Sequence, residues 1–193
     1  MNGVCEFKRK YEIELSHSEH TKVRKQNSFM NIKLDKFQAK DFGDYYQLVG
    51  NEEVMAMITE RVIPIEEAER DFQLLLANNQ LHPNFGHFKI LDANTNEYIG
   101  LAKLEIKSLS GREAELGYML LPSFWGKGIA RKVSQYLLES AKSHNLINKV
   151  FAIIDPKNIA SRKILTSQGF IHKAFKDYDG LAGEVLELKQ SLI

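Results

Sequence analysis

The stretch over residues 112–132, REAELGYMLLPSFWGKGIARK, constrains the fold more than any other part of the chain. Its first half alternates apolar residues with glutamates and a glycine, which predicts a strand buried on one face. Pro122 then ends the strand, because proline has no N–H to donate to a sheet. Gly126 and Gly128 follow in a turn, and from Ile129 the apolar residues recur with a helical period. A strand, a glycine turn and a helix start in this order aim main-chain N–H groups at an anion, so we predict that a phosphorylated cofactor docks here.

The rest of the chain predicts helices first and then mostly strands. A strand near residues 32–34 precedes helical segments over 39–49, 53–58 and 65–78, the last of which follows Pro64 and has glutamates in its first turn. Apolar runs over 85–91 and 98–106 are joined by the turn formers DANTN, and with the strand before Pro122 they predict an antiparallel meander. After a helix over 129–143 come a buried strand over 149–154, a short helix that Asn158 caps and Gly169 ends, and a hairpin of strands over 170–178 and 184–192.

The length of 193 residues is that of one domain. Residues 1–29 are polar and mixed in charge, so we predict a mobile N-terminal extension there and a compact domain over 30–193. A chain of this size buries ~70% of its unfolded surface and requires no disulfide or structural metal. The single cysteine, Cys5, cannot form an internal disulfide, and the histidines lack metal-binding spacing, so we expect no metal cofactor.

The charge and hydropathy of the chain argue against two classes of partner. With a formal net charge of +1 and dispersed basic residues, the chain has no basic stripe for DNA or RNA. No apolar run approaches the ~20 residues that span a bilayer, and the N-terminal segment lacks the apolar stretch of a signal peptide. We therefore expect a cytoplasmic protein that binds neither nucleic acid nor membrane.

The glycine turn has an alternative interpretation, which is a tight strand-to-helix connection without a ligand. Two phosphate-binding motifs do not fit it. A Walker loop needs GxxxxGK followed by Ser or Thr, which the chain lacks, and in a GxGxxG fingerprint Arg131 would occupy the place of the third glycine. Only one short helix and a hairpin follow residue 155, which is too little for the doubly wound sheet of a dinucleotide site.

A third motif fits the turn better. Residues 125–130, WGKGIA, resemble the pyrophosphate loop of the GNAT superfamily of acetyl-CoA-dependent N-acetyltransferases, and residues 155–170, DPKNIASRKILTSQGF, resemble its second cofactor segment. With AELGYML ahead of the loop, the two segments look most like the subgroup that acetylates the N-termini of ribosomal proteins. The resemblance extends from residue 30 to the C-terminus.

This resemblance implies an α+β, three-layer GNAT fold, in which a mixed, mostly antiparallel sheet of about seven strands is flanked by about four helices. It also implies acetyl-CoA as cosubstrate, with the fourth strand splayed from the fifth near Gly117 so that the pantetheine arm bonds the exposed strand. The cofactor-binding residues that it implies are Met119, Leu120, Leu121, Trp125, Gly126, Lys127, Gly128, Ile129, Ala130, Arg131, Asn158 and Ser161.

Two residues depart from the family pattern. Trp125 stands where the motif has Gln or Arg, so the contact of that side chain with phosphate is lost. Leu165 stands where many members carry a tyrosine that protonates the departing thiolate, so the usual acid is absent. Ser161 is the candidate that replaces it, and Asn158 resembles the asparagine that bonds pantetheine. The alternative for this pair is a helix cap and its third helical position.

Glu115 and Glu113 are the candidates for the general base. Acetyl transfer needs a neutral amine, so a carboxylate or a bound water must accept a proton. The two glutamates are two residues apart and therefore share a face of the predicted strand. Glu115 holds the position that resembles the base of the family. The alternative is that both are solvated carboxylates at the rim.

Two functions fit these observations. The first is an N-acetyltransferase that moves an acetyl group from acetyl-CoA directly to a primary amine in a ternary complex, with a protein N-terminus or a small-molecule amine as acceptor. The second is a non-catalytic, acyl-CoA-binding module for sensing or assembly, which the missing tyrosine permits. The pattern gives no oligomeric state.

Overall fold

The computed structural model describes residues 31–144 and 146–189, and within these ranges the chain forms seven strands and five α-helices. The strands are β1 Ile32–Lys36, β2 Gly86–Asp92, β3 Tyr98–Glu105, β4 Glu113–Leu120, β5 Lys149–Ile154, β6 Ile171–Tyr178 and β7 Leu181–Lys189. The helices are α1 Phe42–Val49, α2 Glu52–Met55, α3 Ile65–Asn79, α4 Ile129–Lys142 and α5 Ile159–Ser167, with short 3-10 turns at Ala39–Asp41 and Pro122–Phe124.

All seven strands form one sheet in the order β1-β2-β3-β4-β5-β7-β6. Neighbouring strands are antiparallel except β4 and β5, which are parallel. The prediction of a mixed, mostly antiparallel sheet of seven strands is therefore confirmed. The helices that flank it also match the prediction, and the fifth is the single turn α2, where the sequence predicted one extra helical turn.

The sheet is covered on both faces, and each face has its own apolar core. The face that we call the first packs against α1–α3 through Leu101 and the buried residues Phe37, Leu48 and Phe72. The second face packs against α4 and α5, and its core includes Leu104, Leu116, Ala152, Val133, Leu137 and Leu165. Because side chains alternate along a strand, successive residues of β4, and likewise of β5, point to opposite faces of the sheet and so towards different cores. The order helix layer, sheet, helix layer is the three-layer architecture that we expected.

Phe72 lies at the centre of the first-face core. Its ring centroid is 5.9 Å from that of Phe37, 5.6 Å from that of Phe42 and 5.2 Å from that of Tyr45. We expect Phe72→Ala to lower the free energy of unfolding by about 3–5 kcal/mol, because it removes a buried ring and leaves a cavity. Urea denaturation checks this value. A loss below about 1 kcal/mol would show that α3 is not anchored there.

The β6–β7 hairpin begins its second strand earlier than predicted. The sequence placed that strand over residues 184–192, whereas β7 starts at Leu181, directly opposite Tyr178. Asp179 and Gly180, with φ of 54° and 91°, form a two-residue turn. The two strands of the hairpin therefore pair again at the first residue after the turn. The end of the predicted strand and the extension predicted over residues 1–29 lie outside the described residues.

None of the helices in the described ranges is long and apolar enough to cross a membrane.

Candidate active site

Strands β4 and β5 separate after three residue pairs. Glu113 pairs with Lys149, Ala114 with Val150 and Glu115 with Phe151, and the ladder ends there. Both strands continue beyond this point, to Leu120 and Ile154 respectively. At ~3.3 Å per residue, the five remaining residues of β4 form one wall of a slot ~16 Å long. The splay that the resemblance implied is present.

A cavity of about 500 Å³ occupies this gap and reaches both faces of the sheet. At the second face it is lined by Tyr118 of β4 and by Asn158, Ser161 and Leu165 at α5. At the first face, side chains of α1, α3 and the segment after α2 line it together with Glu115 of β4. A substrate at one face can therefore meet a second substrate that enters from the other.

The glycine turn lies at the open end of the gap. Gly126 and Gly128 have φ of 72° and 77°, a conformation that L side chains rarely adopt, and both are exposed. Helix α4 begins at Ile129, and the Lys132 N–H donates to the Gly128 carbonyl at 3.2 Å as the first bond of the helix. The N–H groups of the first turn, from Ile129 to Arg131, therefore lack helical acceptors and are available to an anion.

Two side chains of the turn have partners within the chain. The Trp125 indole N–H donates to the Leu120 carbonyl at 2.8 Å, so the indole closes the turn against the end of β4. The Lys127 ammonium lies 5.1 Å from the centroid of the Phe124 ring. Trp125 thus replaces the Gln or Arg of the motif by a contact that holds the turn in shape.

The three residues at the end of β4 differ in what their main chain offers. The Leu121 N–H donates to the Ile99 carbonyl at 3.0 Å, and the Leu121 carbonyl accepts from the Phe124 N–H at 2.9 Å. Both main-chain groups of Leu121 are therefore committed inside the fold. Met119 pairs with Leu101 in β3 and lines the cavity with its side chain. Since main-chain groups alternate in direction along a strand, the Leu120 N–H faces away from β3, towards the gap.

Glu115 lies at the closed end of the gap, where its carboxylate is bonded to Lys103. The distance from Lys103 Nζ to Glu115 Oε1 is 2.6 Å, and the Glu115 side chain is 20% exposed. A Cβ added to Gly117 would lie 2.9 Å from Lys103 Cε and 3.1 Å from Cγ. The glycine in mid-strand therefore makes room for the Lys103 side chain, which crosses it to reach Glu115. The sequence predicted a close approach at Gly117 but not this neighbour.

Glu113 has a different environment, although it lies on the same face. Its carboxylate is 2.5 Å from Lys149 Nζ and its side chain is 55% exposed. It lines a neighbouring cavity that shares Glu105 and Glu115 with the cavity in the gap, but it does not line the cavity in the gap itself. The structure therefore brings Glu115 to the cavity and leaves Glu113 at the rim.

His87 adds an uncharged imidazole to the first-face end of the cavity. The pKa of His87 is lowered to about 3, mainly by burial and to a smaller extent by the positive charges of Lys103 and Lys36. The ring is therefore neutral at physiological pH. Its Nε2 is 3.8 Å from Glu105 Oε2. Its Nδ1 is buried and has no hydrogen-bond partner among the described residues.

Tyr118 is the residue that sequence reasoning missed. Its hydroxyl is buried in the gap and, within the part of the chain that the structure describes, has no hydrogen-bond partner. Burial raises the pKa of Tyr118, and the neighbouring Ser161 side chain opposes that shift. The phenol therefore keeps its proton at neutral pH and can donate a hydrogen bond to a ligand atom. Strand alternation placed Tyr118 in the apolar core, and only the loss of the β5 ladder exposes it to the cavity.

Asn158 and Ser161 lie together at the second-face end of the cavity. Asn158 Oδ1 accepts from the Ser161 N–H at 3.0 Å, which caps α5 as the sequence predicted. Arg162 fixes this helix end, because its Nε donates to Glu184 Oε2 at 2.7 Å and its Nη2 to the Pro156 carbonyl at 2.9 Å. Both predicted residues border the cavity, so the capping role and a ligand-binding role are compatible.

Comparison with known proteins identifies the family. The model of the acetyltransferase (GNAT) domain matches residues 31–171, so the chain belongs to the GNAT acetyltransferase family and is an acyltransferase. It is 28% identical over 120 residues to uncharacterized N-acetyltransferase p20 of Bacillus licheniformis, which covers 62% of this chain and 67% of that protein. To uncharacterized N-acetyltransferase YnaD of Bacillus subtilis it is 24% identical over 142 residues, 74% of this chain and 80% of that protein.

Solved structures share the fold. Spermidine N-acetyltransferase from Vibrio cholerae, in complex with CoA and spermine, has a TM-score of 0.68 at 18% identity and covers 83% of this chain and 96% of its own. RimL, a ribosomal alpha-N-protein acetyltransferase in complex with coenzyme A, has a TM-score of 0.68 at 18% identity and covers 82% of this chain and 94% of its own. At this identity the likeness concerns the fold alone.

Proposed function

We propose that this protein transfers an acetyl group from acetyl-CoA directly to a primary amine within a ternary complex. The observation that carries the proposal is the open β4–β5 gap, with free main-chain donors at one end and an ion-paired carboxylate at the other. A gap that reaches both faces of the sheet lets the thioester and the amine approach from opposite sides. Bond formation then needs no covalent enzyme intermediate.

The glycine turn is proposed to hold the diphosphate of acetyl-CoA. The N–H groups of residues 126–131 supply several directed donors, and each hydrogen bond to a charged group contributes about 1.5–3 kcal/mol. Along the arm we propose a main-chain contact from the Leu120 N–H, which faces the gap, and a side-chain contact from Met119, whose main chain is paired with β3. Asn158 is proposed to bond the pantetheine amides. For Leu121, whose main chain is already bonded in the fold, we retain only an apolar contact.

Glu115 is the proposed proton acceptor. The acetyl carbon exchanges its bond to sulfur for a bond to nitrogen, and an ammonium acceptor loses two protons in the process. One proton leaves before the attack, to Glu115 or to a water that it orients, and the other ends on the sulfur. An α-amine, with a pKa of ~8, gives up the first proton more easily than a lysine at ~10.4. For Glu113, at the rim, we propose only that the negative charge of its carboxylate supports the role of Glu115.

Tyr118 and Ser161 are proposed to face the departing sulfur from the second face. The hydroxyl of Tyr118 keeps its proton, because its raised pKa makes it a weaker acid than a thiol. It therefore stabilises the thiolate as a hydrogen-bond donor, while the proton that ends on sulfur comes from the amine. Ser161 is the second hydroxyl within this end of the cavity. The pair would thus replace the tyrosine that is absent at Leu165.

Tyr118→Phe should lower kcat by about 10-fold or more, because it removes one hydrogen bond to a developing charge. The dissociation constant of coenzyme A should not change. Among the described residues the Tyr118 hydroxyl has no hydrogen-bond partner of regular geometry and only Ser161 as a polar neighbour, so its loss should change Tm little. Steady-state kinetics check this, with Tyr136→Phe on the exposed side of α4 as the matched control. An unchanged kcat would remove Tyr118 from the reaction.

Release of free thiol from acetyl-CoA, measured against a panel of amines and peptides, tests the proposed function. We expect saturable thiol release that depends on the amine, with an equal amount of acetylated product by mass spectrometry. Binding of acetyl-CoA with no turnover across the panel would instead favour the non-catalytic module.

A further inference from the structure

The first-face end of the cavity is acidic. Four carboxylates line the cavity, and Lys103 is the one cationic side chain among its described lining residues, because burial keeps His87 neutral. Lys103 is already bonded to Glu115 at 2.6 Å and lies 3.8 Å from Glu105. The carboxylates therefore outnumber the cations, and this end of the cavity favours a positively charged ligand. The carboxylates are Asp71, Glu105, Glu115 and Asp155.

The mouth of the same end is apolar. Met57 and Ile58 are each 42% exposed, and Leu74 of α3 is 70% exposed, and all three line the cavity. Single exposed apolar residues are ordinary on a protein surface, but three around one opening indicate a surface that a ligand covers. Leu75 and Leu101 continue this surface inward to the carboxylates. A ligand that enters from this face therefore contacts apolar side chains at the mouth and carboxylates further inside the cavity.

The walls of this end offer little to a peptide main chain. Helices α1 and α3 use their N–H and C=O groups internally. Leu101 is paired with both β2 and β4, whereas the hairpin residues Leu181–Gly183 are paired on one edge only, with β6, because the β5–β7 ladder stops at Glu184. Main-chain groups alternate in direction along a strand, so this short edge serves about one residue of a peptide. Further amide groups that lost water here would lack a partner, which makes the burial of several peptide groups costly.

We infer that the acceptor is a small primary amine attached to an apolar alkyl or aryl body. Its ammonium group lies beside Glu105 and Glu115, and its apolar body packs against Met57, Ile58 and Leu74. This inference rests on the proposed function, and it narrows the acceptor from primary amines in general to hydrophobic small-molecule amines. A polyamine has too much charge for the apolar mouth, and a peptide has too many amides for the walls.

The first experiment compares kcat/KM for n-alkylamines of increasing length, 2-phenylethylamine, spermidine and an alanine-initiated tripeptide, at saturating acetyl-CoA. We expect kcat/KM to rise about threefold to fourfold for each methylene until the cavity is filled. Spermidine and the tripeptide should be poorer substrates than 2-phenylethylamine. A flat alkylamine series, or a preference for spermidine or the tripeptide, overturns the inference while the proposed function stands. Acetyl-CoA binding without turnover of any amine overturns the proposed function itself.

The second experiment tests the apolar mouth with matched variants. Leu74→Ser should raise KM for 2-phenylethylamine by about 10-fold and leave the dissociation constant of coenzyme A unchanged, because Leu74 lies on the side away from α4. Leu109→Ser changes a leucine that is 59% exposed and does not line the cavity, so it should leave KM unchanged. Both sites are exposed, so neither variant should unfold. Equal KM values for the two variants would overturn the assignment of the mouth.

Discussion

Gly128→Val should weaken coenzyme A binding by about 100-fold or more, while Lys127→Ala should weaken it by less than about fivefold. Gly128 has a φ of 77°, and a Cβ added there meets no atom within 4 Å. Valine therefore acts through the backbone alone, because a β-branched residue disfavours a positive φ and turns the neighbouring N–H groups away. Two lost hydrogen bonds to a charged group are worth about 3–6 kcal/mol, whereas an exposed lysine contributes about 1 kcal/mol or less.

Titration calorimetry with coenzyme A measures this difference. Gly180→Val is the matched control, since Gly180 also has a positive φ and open space at its Cβ but belongs to the β6–β7 turn. Its coenzyme A affinity should equal that of the unmodified protein. The reverse order, with Lys127→Ala severe and Gly128→Val mild, would refute the main-chain site and make the lysine the anion ligand.

Glu115→Gln should lower kcat/KM by about 100-fold or more, which is the lower end of the usual contribution of a general base. It should also change the pH–rate profile, because an amide cannot accept the proton of the amine. Lys103 loses its anionic partner in the variant, so Tm is measured alongside.

Glu113→Gln separates the role of Glu115 from general electrostatics. The same charge is removed two residues away on the same face, but Glu113 bonds Lys149 and does not line the gap. We expect a change in kcat/KM of less than about threefold for this variant. If Glu115→Gln keeps the pH–rate profile of the unmodified protein, Glu115 is not the base.

The glycine turn and the cap of α5 could be predicted from the sequence, because the residues that determine each of them lie close together in the chain. A strand, Pro122, a glycine turn and a helical period lie within about two dozen residues, and the α5 cap needs only Asn158 and Ser161. The gap itself was not visible in any residue pattern. It came from the resemblance, since β4 and β5 are separated in sequence by all of α4.

What the sequence did not predict depends on contacts between distant segments. Glu113 and Glu115 look equivalent in a strand pattern, and their different lysine partners, Lys149 and Lys103, come from opposite sides of β4. Tyr118 alternates as a core residue, and it reaches the cavity only because β5 has left the ladder. The acidic end of the cavity likewise gathers residues from α3, β3, β4 and the end of β5.

A crystal structure of the protein with coenzyme A tests the central claim most directly. We expect the diphosphate within hydrogen-bond distance of the N–H groups of residues 126–131, and the pantetheine arm between residues 116–120 of β4 and 152–154 of β5, with its sulfur near Tyr118. A ligand bound away from the turn, or β4 and β5 paired to their ends with the arm excluded, would contradict the account.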